Sequence, residues 1–124
     1  MKKVTINITT DNEGAATAYG DAAVVGGGGV YAVDYLPGDI SAGATVTLTD
    51  ETGVSHTIWS KATAGSTAIR VYPRTLEQLG SNGSNLTTHD MPLASGRLKV
   101  VVSDGTDTGA EEANGTMIVH IAEL

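Results

Sequence analysis

The sequence predicts an all-β domain, an antiparallel sandwich or barrel of about eight short strands. Apolar residues alternate with polar residues over several short segments, the pattern of strands with one buried face. Turn sequences rich in Gly, Asp and Asn separate these segments at intervals of roughly 8–15 residues. No long segment shows helical periodicity. The 124 residues predict a single domain spanning positions 1–124.

The clearest local feature is a β-hairpin between Ala44 and Ser60. The segments ATVTLTD and VSHTIWS are rich in β-forming residues and flank a compact turn at Asp50–Gly53. In the second segment, Ile58 and Trp59 are adjacent and therefore point to opposite faces of a regular strand. Alternation alone leaves open which of these two side chains is buried.

The N-terminal third predicts three strands. Lys3–Thr9 carries apolar side chains at every second position, and a turn then leads to Ala15–Tyr19, which we expect to return as the second arm of a hairpin. Val30–Leu36 is the third strand. Its alternation places three side chains on one face: Tyr31, Val33 and Tyr35.

A run of four glycines, Gly26–Gly29, precedes the third strand. A glycine run invites comparison with a phosphate-binding loop, but no Lys-Ser/Thr pair follows it and the next segment is strand-like. Glycine permits backbone conformations that other residues avoid. We therefore expect this segment to be either a flexible connector or a site of close backbone packing.

The C-terminal half predicts further strands and one mobile segment. Thr67–Tyr72 is a strand that Pro73 ends, and Thr75–Leu79 is expected to form one helical turn. Residues 80–90 are polar and low in complexity, which predicts a mobile loop. The last two strands form a closing hairpin in this interpretation: Arg97–Ser103 and Gly115–Ile121.

Composition argues against several functional classes. The formal net charge is −7, which disfavours binding to nucleic acid and to anionic membranes. The chain has no cysteine, and its first residues lack the apolar segment of a signal peptide. The only aromatic residues are four tyrosines and one tryptophan, so the core must be mainly aliphatic. A modest core of this kind favours association with other copies or with a larger assembly.

No residue pattern predicts catalysis, cofactor binding or a metal site, and we expect the protein not to be an enzyme. The three histidines lack metal-ligand spacing, and no serine lies in a G-x-S-x-G context. Residues 104–112 contain four carboxylates: Asp104, Asp107, Glu111 and Glu112. This segment is either a solvated acidic loop or a weak site for a hard cation such as Ca²⁺.

Four side chains are candidates for contact with a partner: Trp59, Arg70, Tyr72 and Arg74. Arginine pairs well with the carboxylates of a partner, although arginines are also ordinary surface residues. Aromatic side chains contribute strongly to binding interfaces.

Three blocks resemble small structural proteins that tailed bacteriophages encode beside the major capsid gene. They are VTINITTDNEGAATAYG at 4–20, the block from ISAGATVTLTDETG to SHTIWSKATAGSTAIRVYPR at 40–74, and the closing MPLASGRLKVVVSDG and GTMIVHI at 91–105 and 115–121. The resemblance lies in the overall pattern and carries over no active-site residue. It implies a virion protein made in the host cytoplasm.

The resemblance further implies a capsid decoration, or cement, protein that binds and stabilises the head shell. Its partners would be the major capsid protein or other virion proteins, and it would form a symmetric homo-oligomer such as a trimer. The alternative is a carbohydrate- or receptor-binding β-module of a tail, fibre or neck. That alternative predicts an exposed aromatic platform, with Trp59, Tyr31 or Tyr72 as its candidates.

Overall fold

The computed structural model describes residues 2–52, 55–78, 85–103 and 112–122. For residues 75–78 and 85–90 only the backbone is described. The described chain forms eleven strands and one short 3₁₀ helix, Ala22–Val25. The strands are β1 (Lys2–Thr9), β2 (Ala16–Asp21), β3 (Gly28–Leu36), β4 (Thr45–Asp50), β5 (His56–Lys61), β6 (Ile69–Val71), β7 (Thr75–Gln78), β8 (Asn85–Asp90), β9 (Leu93–Ala94), β10 (Arg97–Ser103) and β11 (Asn114–Ala122).

Two antiparallel sheets pack face to face, which confirms the predicted all-β sandwich. Sheet A has five strands in the order β1-β11-β3-β6, with β9 also pairing with β3. Sheet B has four strands in the order β2-β10-β4-β5. The remaining strands, β7 and β8, form a separate two-stranded sheet.

The core lies between the two sheets and is mainly aliphatic. Alternating residues of each long strand point inward, so the buried positions follow the period-2 pattern of the sequence. The largest fully buried side chains include Tyr35, Ile6, Ile8, Leu48, Leu98, Met117 and Ile121. Burial of each large apolar side chain contributes about 1.5–3 kcal/mol.

The predicted hairpin at Ala44–Ser60 is confirmed as the pair β4–β5, and a β-bulge settles its open question. Leu48 pairs with Trp59 and Thr49 pairs with Thr57, so Ile58 is an extra residue without a partner on β4. Because of this extra residue, the adjacent Ile58 and Trp59 side chains both reach the core. Ile58 is buried, and Trp59 is half-buried with its ring centre 6.2 Å from that of Tyr35.

A second bulge interrupts the pairing of β3 with β11. Ala32 pairs with His120 and Val30 pairs with Ile121, which leaves Tyr31 as the extra residue. Val30 therefore takes the place in the core that alternation had given to Tyr31, and the Tyr31 side chain is 39% exposed. The prediction that Tyr31 shares a face with the buried Tyr35 is wrong, because the bulge shifts the alternation by one residue.

Two predicted hairpins are wrong because their strands belong to different sheets. Strand β1 pairs with β11 in sheet A, whereas β2 pairs with β10 in sheet B. The turn between them is held by Asp11, whose carboxylate accepts the N–H groups of Glu13 and Ala15. The chain likewise crosses between sheets from β10 to β11. Alternation shows which face of a strand is buried but does not specify the strand beside it.

The segment after β6 also differs from expectation. Strand β6, Ile69–Val71, is a shorter form of the predicted strand Thr67–Tyr72. The helical turn predicted at Thr75–Leu79 is wrong, because Thr75–Gln78 forms β7 and pairs with β8. Residues 85–90 of the predicted mobile loop make up β8, and residues 80–84 lie outside the described residues. Cross-strand pairing overrides the weak local preference here.

The glycine run serves close backbone packing, one of its two predicted uses. Gly26 ends the 3₁₀ helix in a left-handed conformation, with φ of +90°. Gly28, with φ of +147°, begins β3 and pairs with Ala94. A Cβ atom at Gly28 would collide with the carbonyl oxygen of Ala122. A side chain at this position is therefore excluded by both space and backbone conformation.

Candidate functional site

Three charged side chains meet on the outer face of sheet A. Asp34 on β3 lies directly opposite Arg70 on β6. The Nε and Nη2 atoms of Arg70 donate to the two carboxylate oxygens of Asp34 at 2.5 and 2.8 Å. The Nε2 atom of His120, on β11, lies 2.9 Å from Oδ2 of Asp34. One carboxylate thus links three neighbouring strands.

The ion pair fixes the charge of Asp34. The hydrogen bond from Arg70 lowers the pKa of Asp34 to about 2, and partial burial opposes this effect while His120 adds to it. The same contact raises the pKa of Arg70 above its ordinary value. Asp34 is therefore ionised throughout the neutral range, and its oxygens accept hydrogen bonds from both basic neighbours.

An apolar cleft of about 310 Å³ adjoins this ion pair. Its lining residues are Asp34, Leu36, Ala68, Ile69, Arg70 and Ile118. Leu36 is 38% exposed, so apolar surface lies open to solvent beside the arginine. An aliphatic side chain of a partner could bury itself here next to a charged group.

Two tyrosines and a second arginine extend the surface. The Tyr31 and Tyr72 rings meet edge to face, with centres 5.6 Å apart, and Tyr72 is 52% exposed. The guanidinium carbon of Arg74 lies 5.8 Å from the centre of the Tyr31 ring, and its Nη1 donates to the Tyr31 carbonyl oxygen at 3.2 Å. Tyr72 makes a small contribution to the raised pKa of Arg70. We call these six residues the sheet A patch: Tyr31, Asp34, Arg70, Tyr72, Arg74 and His120.

The structure brings together three of the four predicted partner-binding residues. Arg70, Tyr72 and Arg74 lie on or just after β6 and belong to the patch. Trp59 does not, because it lies on β5 of sheet B and packs against the core. Asp34 and His120 were missed by sequence reasoning. They lie 36 residues before Arg70 and 86 residues after Asp34 respectively, and no local pattern links them.

The outer face of sheet B has a different character. Arg97 donates two hydrogen bonds to Oε2 of Glu51, at 2.9 and 2.6 Å, and Lys99 lies 3.3 Å from Oε1. The hydrogen bond from Arg97 is the main cause of a lowered pKa of Glu51. Hydroxyl groups cover much of the remaining face, such as Thr47, whose Oγ1 lies 3.0 Å from Oγ of Ser60. Glu51 therefore pairs with both Arg97 and Lys99.

The described residues hold no group of three or more His, Asp or Glu side chains that could bind a metal ion. Residues 104–111, most of the predicted acidic segment, lie outside the described residues, so the cation alternative stays a prediction. In the described part of the chain, no helix is long and apolar enough to cross a membrane.

Comparison with protein family models, curated proteins and solved structures finds no match to this chain. The resemblance to phage structural proteins therefore stays a prediction from the sequence.

Proposed function

We propose that this protein is a non-enzymatic structural protein of a tailed-phage virion, a capsid decoration protein that binds and stabilises the head shell. The observation that supports a binding role is the sheet A patch, where exposed tyrosines and arginines adjoin an open apolar cleft. Tyrosine and arginine are enriched at the energetic centres of protein interfaces. The three blocks that resemble phage structural proteins support the assignment to a virion.

The chemistry of the patch favours binding over catalysis. A general base works best when its pKa lies near the operating pH. Arg70 holds the pKa of Asp34 at about 2, so this carboxylate is a weak base at neutral pH. Its hydrogen bonds to Arg70 and His120 hold three strands together and present a fixed surface.

In this proposal the partner is the major capsid protein or another virion protein. A symmetric homo-oligomer such as a trimer would match the symmetric sites of a capsid lattice. The protein would be made in the host cytoplasm and would function in the virion.

Shells purified from a virus strain that lacks the gene provide the test. Purified protein is added back and the shells are sedimented. We expect saturable co-sedimentation and greater resistance of the shells to heat. Absence of co-sedimentation at any protein concentration would contradict the proposal.

A carbohydrate- or receptor-binding module is the second candidate, since Tyr31 and Tyr72 are exposed. The half-buried Trp59 packs against the core, so these two tyrosines would have to form the platform. Their rings are inclined at 79°, which presents a corner and not a flat surface for stacking on a sugar. A glycan array distinguishes the two functions: binding that is lost in Tyr72→Ala would favour this second candidate.

A further inference from the structure

We infer that the sheet A patch and its adjoining cleft bind an extended acidic segment of a partner protein, in which a carboxylate lies beside a bulky aliphatic side chain. The inference rests on the charge and shape of this face. It holds whether or not the partner belongs to a virion.

Charge complementarity favours an acidic partner. The chain as a whole is strongly acidic, with a net charge of −7. Among the described side chains of the patch, three are basic and one is acidic: Arg70 and His120 contact the Asp34 carboxylate, and Arg74 lies against the Tyr31 ring. Lys3 lies opposite His120 in the register of β1 with β11 and is exposed. An acidic partner is attracted to this face and repelled by the protein as a whole, which favours one orientation of binding.

The two arginines of the patch differ in whether a carboxylate of the protein already pairs with them. Asp34 already neutralises Arg70. Arg74 is exposed, and its described hydrogen bonds go only to the backbone carbonyl oxygens of Tyr31 and Pro73. The planar guanidinium has further N–H donors that match a carboxylate. The Tyr31 ring and these two carbonyls hold Arg74 in place, so it is the carboxylate anchor in our proposal.

The cleft beside Arg70 provides a site for the aliphatic side chain. Its apolar lining comes from Leu36, Ala68, Ile69 and Ile118. At about 310 Å³ it suits aliphatic side chains of a single segment and not a folded surface. Strand β6 is short and lies at the edge of sheet A, with the cleft beside its first residues and Tyr72 of the tyrosine pair just after its last. A segment that fills the cleft and reaches Arg74 must run along β6, and an extended chain covers that distance with few residues.

The probe is a short acetylated peptide of alternating leucine and aspartate, titrated into the ¹⁵N-labelled full chain and followed by NMR. Peptides with lysine or asparagine in place of aspartate are the matched probes. We expect the acidic peptide alone to shift the amide signals of residues 68–72, 74 and 118–120. Added salt should weaken the binding, because exposed charges are screened.

Two variants with the same change in net charge locate the site. Arg74→Glu should weaken binding of the acidic peptide roughly tenfold. Lys61→Glu, on the exposed edge of sheet B, should leave affinity within about twofold of the original protein, because surface charges far from the site are screened. Leu36→Asp, in the cleft, should also weaken binding, since it places a negative charge beside the acidic peptide. Arg74 and Leu36 are both exposed, and dispersed amide spectra would verify that each variant is folded.

Several results would overturn the inference. They are no shift at about 5 mM peptide, equal shifts with all three peptides, shifts outside the patch and cleft, or equal affinity in Arg74→Glu and Lys61→Glu.

Discussion

Two β-bulges in this protein displace aromatic side chains in opposite directions. In β3 the extra residue is Tyr31 itself, which leaves the core and joins the sheet A patch. In β5 the extra residue is Ile58, and the adjacent Trp59 packs against the core beside Tyr35. One additional residue in a strand reverses the faces of all residues beyond it. The role of an aromatic residue here therefore depends on strand register and not on its place in an alternating pattern.

Four of the five aromatic residues fall into two groups. Trp59 and Tyr35 pack in the interior, whereas Tyr31 and Tyr72 belong to the proposed binding surface. Substitutions should separate these functions, because a side chain that stabilises the fold and one that contacts a partner affect different measurements.

The largest effect is expected from Trp59→Ala. Loss of the indole ring leaves a cavity against Tyr35, and we expect the free energy of unfolding to fall by about 2–4 kcal/mol, since the ring is only half-buried. Urea unfolding curves measure the change. Trp59→Phe is the control and should lose much less. A loss below about 1 kcal/mol in Trp59→Ala would show that the ring contributes little to the core.

A smaller effect of opposite sign is expected from Tyr35→Phe. The Tyr35 hydroxyl is buried and has no hydrogen-bond partner among the described residues, and burial raises the pKa of this group. Removal of an unsatisfied buried hydroxyl should leave the free energy of unfolding unchanged or raise it by about 1 kcal/mol. Urea unfolding of the variant measures it. A clear loss of stability would indicate that the hydroxyl has a partner in solution.

On the outer side of β3, the contribution of Asp34 to stability should depend on its charge and not on packing. NMR titration of the Asp34 carboxyl carbon should give a pKa of about 2. In Arg70→Gln that pKa should rise toward the ordinary value of 3.8, because the largest cause of the lowered pKa is removed. The lowered pKa means that Asp34 stabilises the fold above about pH 4 and that this contribution is lost as the pH falls toward 2. Arg97→Gln is the control and should leave the Asp34 titration unchanged.

The smallest effect on stability is expected from Tyr31→Ala. The side chain lies outside the core, so the free energy of unfolding should change by less than about 0.5 kcal/mol. The same variant should weaken binding of the acidic peptide, because the Tyr31 ring supports Arg74. A loss of stability similar to that of Trp59→Ala would remove the contrast between the two bulges.

The local sequence predicted those strands that are marked by alternating apolar residues or by a turn sequence. Alternation located β1, β3, β10 and β11, and the turn at Asp50–Gly53 located the β4–β5 hairpin. Strand partners were not predictable in the same way. Two strands separated by a short turn can pair with each other or enter opposite sheets, and alternation is identical in both cases.

The candidate site was predictable only in part. Arg70, Tyr72 and Arg74 are close in sequence, so their proximity in the structure follows from one short segment. Asp34 and His120 join them through the pairing of β3 with both β6 and β11. Tyr31 joins them because of a bulge, which has no reliable signal in a single sequence.

The central positions of β10 and β11 have a consequence for synthesis of the protein. Strand β11 lies between β1 and β3, and β10 lies between β2 and β4. In each sheet, this central strand is therefore synthesised after the strands on both sides of it. Strand β2 has no neighbour in its sheet until β10 has emerged at residue 103, and β1 has none until β11 has emerged at residue 122. Such long-range pairing slows folding, and we expect this protein to be most prone to aggregation while it is a nascent chain.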